Sequence, residues 1–157
     1  MPSRTPTDPY TLGLNLLARR ELSEMQLRER FRKRKFETQA IEDALARLRQ
    51  EGALDDRRTA FAYARTAVRL TARGRRRILQ EIVARGINKD IAHEAVEITF
   101  ADVDEAKVLA RALAKRLNGP IQDAAHLRRL HRSLQQQGFP TSLIVPALAA
   151  HATNIKE

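Results

Sequence analysis

Apolar residues along this chain recur at intervals of three and four rather than two. Ile41, Ala44, Leu45 and Leu48 stand at i, i+3, i+4 and i+7, the single apolar face of an amphipathic helix. Ala, Leu, Arg, Glu and Gln, all good helix formers, dominate, and no proline occurs between residues 10 and 119. The pattern predicts an all-α protein. Local signals place individual helix starts. Ser23 with Gln26 three residues later is a capping box, flanked by Leu22 and Leu27 as a hydrophobic staple. Thr38 and Asn88 are predicted N-caps. Asp55 and Asp56 read as an N-cap and a first-turn acid, with the apolar Leu54 just before them. Adjacent helical residues point about 100° apart, which disfavours this pair as facing catalytic carboxylates.

An internal repeat organises these helices. Lys35, Gly86 and Gly138 each stand at a turn, and Phe36, Ile87 and Phe139 follow as apolar plugs. Ala44-Leu45, Ala95-Val96 and Ala147-Leu148 close the three copies, which start 51 and 52 residues apart. Each copy reads as a helix, a left-handed turn and a further helix. The chain then divides into a disordered tail over 1–9 and three-helix units over 10–52, 53–100 and 101–157. Predicted helices are 10–21, 23–34 and 38–51; 55–72, 75–85 and 88–100; and 102–117, 122–137 and 141–151. Units this small barely close a core, so neighbours should stack. Pro146 should make the last helix start late or bend.

Composition narrows the chemistry. The 157 residues include 29 basic and 19 acidic side chains, a net charge of +10 and a pI near 10.9. Such an excess favours a polyanionic partner. Aromatics make up only 4%, which argues against stacked-base platforms. The absence of cysteine excludes thiolate zinc sites, iron–sulfur clusters, cysteine nucleophiles and disulfides. The four histidines, at 93, 126, 131 and 151, lack metal-ligand spacing, and no nucleotide-binding loop or nucleophile elbow occurs. The expectation is a non-enzyme without metal or cofactor. The most apolar stretch, Leu143 to Ala150, holds a proline and falls short of the roughly 18 residues of a membrane span. The chain therefore reads as cytoplasmic, with no membrane partner.

The basic residues cluster. Arg65, Arg69, Arg73, Arg75, Arg76 and Arg77 fall in an acid-free window. On a continuous helix Arg58, Arg65, Arg69 and Arg73 share one stripe, opposite Ala60, Phe61, Ala64 and Val68. Arg75, Arg76 and Arg77 crowd the start of the next helix, where the dipole disfavours cations. That placement favours polyanion contact over a solvated helix face. A second cluster contains Arg28, Arg32 and Lys35, and a smaller third contains Arg128, Arg129 and Arg132.

Several segments resemble the RecX family, bacterial regulators of the RecA recombinase. Gly52 to Ala60, with Leu54, Asp55, Asp56 and Arg58, is similar to the family's G-Y-L-D-D-x-R-F-A signature. Arg73 to Ile87 resembles its R-G-x-x-R-I-x-x-E-L-x-x-x-G-I segment. Leu17 to Leu27 resembles its first helical hairpin, and Gln137-Gly138-Phe139 its R-G-F turn. The chain departs from the pattern at Ala53 and Thr59, where aromatics are usual, so a looser first joint is expected. Lys35 replaces a glycine, which costs about 1 kcal/mol if the residue is left-handed. The resemblance implies three tandem units in an elongated, curved array. It also implies binding to the RecA–DNA filament, inhibition of its ATP hydrolysis and strand exchange, and affinity for single- and double-stranded DNA. A monomer is expected. A nonspecific DNA-binding, architectural helical protein is the alternative, and a scaffold for an acidic protein a third reading.

Overall fold

The computed structural model describes residues 6–152. Among them are nine α-helices and no strand. In order they are α1 (Pro9–Arg19), α2 (Glu24–Lys33), α3 (Thr38–Gln50), α4 (Asp56–Thr66), α5 (Arg75–Ala84), α6 (Lys89–Phe100), α7 (Glu105–Ala114), α8 (Ala124–Gln136) and α9 (Thr141–Ala149). They pack in consecutive threes, the third helix of each set against both others.

Ser23 and Gln26 form the full capping box of α2, and Asp55 caps α4 by accepting from the Arg58 N–H at 3.1 Å. Asn88 caps α6 through the Asp90 N–H. The left-handed turns lie at Lys35 (φ 61°), Gly86 (φ 79°) and Gly138 (φ 96°).

Four local expectations are corrected. Pro9 opens α1 and Asp8 caps it, so neither lies in a tail: Asp8 accepts from the Thr11 N–H, and Pro9 is pre-set for a first helical position. Residues 1–5 lie outside the described part. Thr38 is the first residue of α3 rather than its cap; the turn through Lys35 and Phe36 makes Glu37 the cap, without a side-chain bond. The long helix over 55–72 stops being α-helical at Thr66. Ala67–Thr71 forms a π-turn and Ala72 is left-handed at φ 49°. Competing donors explain the change: the Thr71 hydroxyl bonds the Ala67 carbonyl, and Arg111 and Lys115 draw the carbonyls of Val68, Arg69 and Leu70 outward. Finally, α9 does not start late. It begins at Thr141 directly after Pro140 and carries Pro146 within it on an exposed side.

The units join through their second helices, end to end. At the first joint the Ser23 hydroxyl, at the start of α2, donates to the carbonyl of Arg85, the C-cap of α5, at 2.5 Å. At the second, the Gly74 N–H, at the start of α5, donates to the carbonyl of Gln137, the C-cap of α8, at 2.8 Å. Thus α8, α5 and α2 run head to tail with their dipoles aligned, positive end against negative end. The close approach requires glycine. A Cβ on Gly138 would lie 2.3 Å from the Arg77 nitrogen, and one on Gly86 would lie 2.5 Å from the Met25 sulfur. No helix start abuts Lys35 in this way, so there only the positive φ is costly.

The core is divided unequally. Leu12, Leu27, Phe31, Ile41, Leu45, Leu48 and Leu54 form a separate cluster in the first unit. A second, continuous cluster runs from Ala60 to Leu148 through both later units, with Ile78, Ile82, Phe100, Leu113 and Ile144 at its centre.

Candidate polyanion and protein interface

The first joint explains the acidic pair. Asp55 caps its own helix, while Asp56 reaches across and accepts the Glu24 N–H of α2 at 2.8 Å. Burial, reinforced by neighbouring Asp55, raises the Asp56 carboxyl above its ordinary value. Arg58 ties the joint down. It pairs with Glu21 at 2.7 Å and donates to the carbonyls of Gly52 and Ala53. Thr59 is 3% exposed, and its hydroxyl bonds the carbonyls of Leu22 and Asp55. At this joint the buried Thr59 hydroxyl is thus hydrogen-bonded to both units.

The thirteen basic candidates fall into two groups. Five are engaged by acidic partners within the chain. Arg28 pairs with Glu42 at 2.9 Å and Arg58 with Glu21. Arg73 pairs with Glu81 at 2.5 Å and meets the Tyr63 hydroxyl at 3.0 Å. Arg75 pairs with Glu97 and Glu105, and Arg77 with Glu81. The other eight are exposed and form no ion pair among the described residues: Arg32, Lys35, Arg65, Arg69, Arg76, Arg128, Arg129 and Arg132.

The stripe is consequently shorter than its spacing suggests. Past the π-turn, left-handed Ala72 redirects the chain, and Arg73 turns inward to Glu81. Arg58 is spent on the joint, which leaves Arg65 and Arg69. On the opposite arc Ala60, Ala64 and Val68 are buried, and Phe61 is half-buried with Arg57 over its ring. The crowding at the start of α5 also has a structural cause. The negative end of α8 abuts it: Arg77 donates to the Gln136 carbonyl at 3.3 Å, and Arg75 and Arg77 have acidic partners. Of the three, only Arg76 lacks an acidic partner among the described residues. It lines a cleft of about 720 Å³ at the second joint with Arg75, Arg77, Arg132, Gln135 and Gln136.

Arg111 on α7 and Lys115, its C-cap, were not singled out in the sequence. Their i, i+4 spacing, which puts both on one helix face, was the available signal. Among the described residues no three His, Asp or Glu side chains converge as a metal site would need. No helix there is long and apolar enough to cross a membrane.

The model of the RecX first three-helix domain matches residues 10–48, and that of the second matches residues 55–96. The chain is 33% identical to the regulatory protein RecX of Treponema pallidum (strain Nichols) over 88% of its own length and 82% of that protein. This chain belongs to the RecX family. It is also 30% identical to the RecX of Syntrophotalea carbinolica, covering 88% of this chain and 92% of that one. Against the RecX of Geobacillus kaustophilus the identity is 30%, over 94% of this chain but 55% of that longer protein. The fold is shared with the crystal structure of RecX from Lactobacillus salivarius, at a TM-score of 0.70 and 21% identity, over 90% of this chain and 93% of that one. In this RecX-family chain Leu54, Asp55, Asp56 and Arg58 converge at the first joint: Leu54 is buried in the first core, Asp55 caps α4, and Asp56 and Arg58 supply polar contacts across the joint.

Proposed function

We propose that this chain binds the RecA–DNA filament and inhibits its ATP hydrolysis and strand exchange, thereby modulating homologous recombination and repair, and that it catalyses no reaction itself. The observation that carries this reading is the division of the arginines. Internal acids neutralise one group, while eight cations from all three units stay exposed for a polyanion. Membership of the RecX family supports the recombinase as the partner that presents DNA. The exposed cations fit the phosphates of single and double strands alike, because charge contacts do not read sequence. Many weak contacts along an extended array reinforce one another through effective concentration. Both joints are satisfied within one chain, which supports action as a monomer.

The test is sedimentation of RecA assembled on single-stranded DNA at moderate salt, with ATP hydrolysis followed in parallel. Co-sedimentation with the filament and slowed hydrolysis are the expected results. Equal affinity for naked DNA with unchanged hydrolysis would replace this reading with that of an architectural DNA-binding protein.

A further inference from the structure

Leu70 is 60% exposed, more than any other large apolar side chain among the described residues. It sits near the end of the π-turn, directly after exposed Arg69 and five residues after exposed Arg65. A helix end would ordinarily fray, yet this one is held. Arg111 donates to the carbonyls of Val68 at 2.6 Å and Arg69 at 2.9 Å, and Lys115 reaches the Leu70 carbonyl at 3.4 Å. The thread between second and third units thus fixes the backbone that carries Leu70. Local π-helical geometry is found disproportionately at functional positions.

We infer that Leu70 is an apolar anchor for a protein surface, seated in a socket with an acidic rim that Arg65 and Arg69 engage. Phosphate contact gains nothing from an aliphatic knob, and base stacking needs a flat side chain. A protein surface rewards both features: burial of the leucine and pairing of the surrounding cations. The held backbone removes the ordering cost of docking. Arg65, Arg69 and Leu70 are not among the residues lining the cleft of Arg76 and Arg132 at the start of α5, whose chemistry suits phosphates. The inference rests on the filament reading above, and the partner is the protein wall of that filament rather than its DNA.

Leu70→Ser in the full chain tests it, with Val145→Ser as control because Val145 is comparably exposed at 52% on α9. Affinities are measured for the RecA filament and for naked single-stranded DNA at one salt concentration, with circular dichroism to verify folding. Leu70→Ser is expected to weaken filament binding about tenfold and leave DNA affinity within about twofold, while Val145→Ser changes neither. If the parent binds the filament and Leu70→Ser binds it equally well, or if filament and DNA affinities fall together, the anchor is overturned and the filament reading stands. If the parent itself does not bind the filament, the reading falls and takes the anchor with it.

Discussion

The Ser23 hydroxyl rests on the Arg85 carbonyl, so the cap that starts α2 also closes the end of α5. Gly74 and Gln137 repeat the arrangement at the second joint with a backbone donor. Two helix ends that would each need their own partners satisfy one another.

The three turn residues should respond differently to substitution. Gly138→Ala combines a positive φ with overlap against the Arg77 backbone and should cost about 2–4 kcal/mol. Lys35→Gly relieves only the φ and should stabilise by about 0.5–1 kcal/mol. Thermal melting should show the two midpoints moving in opposite directions from that of the parent.

Asp56 should give the first joint an inverted pH response. Its folded-state pKa lies above the ordinary 3.8, so folding favours the protonated form. Its contribution is greatest below 3.8 and declines as pH rises through the raised folded value. Glu42 behaves oppositely: Arg28 lowers its pKa, so its contribution is lost as pH falls through that lowered value. Asp56→Asn should keep the Glu24 bond and remove the Asp56 response, which chemical denaturation at a series of pH values reads directly. Asp56→Ala should cost about 1–3 kcal/mol at neutral pH by orphaning that N–H.

Helix starts were legible because their signals are local. Ser23 and Asp55 cap groups three residues away, and the repeated turns at 35, 86 and 138 are visible as such. The Ser23–Arg85 contact spans 62 residues and ends on a carbonyl, which leaves no residue type to read. The inward turn of Arg73 was hidden for a related reason. An alanine at 72 gives no warning of a left-handed backbone, so the periodicity carried the stripe one residue too far. Charge showed that a polyanion was favoured, whereas pairing with Glu21, Glu81 and Glu105 decided which arginines are free to meet it.

Arg65→Glu with Arg69→Glu should leave helicity and melting nearly unchanged, because both side chains are exposed and unpaired among the described residues. The double reversal should abolish most inhibition of DNA-dependent ATP hydrolysis, since two attractive contacts become repulsive. Inhibition equal to that of the parent would reduce this face to solvated charge.

DNA affinity should fall steeply with salt. Four to six phosphate contacts give a log–log slope of roughly −3 to −4 for single strands. Arg76→Ala should flatten that slope by about 0.7 without altering stability. Arg75→Ala should instead lower the melting temperature, because it removes the ties to Glu97 and Glu105 and the guanidinium over the Phe100 ring. Fluorescence anisotropy titrations at several salt concentrations, paired with melting curves, separate the two.

Val68→Asp buries an unpaired charge in the continuous core and should unfold the second and third units together. The first unit has its own cluster and should persist, so hydrogen exchange should show protection surviving around Leu27, Leu45 and Leu48 while it is lost from Ile78 to Leu148.

The division of the core also makes the two joints different in kind. Between the second and third units, any rotation must shear packed side chains apart. Between the first and second, hydrogen bonds and ion pairs around Asp56, Arg58 and Thr59 accompany the packing of Met25 on Gly86, and no shared apolar cluster crosses. Water can compete for the polar contacts of the first seam, whereas the second is sealed within one apolar core.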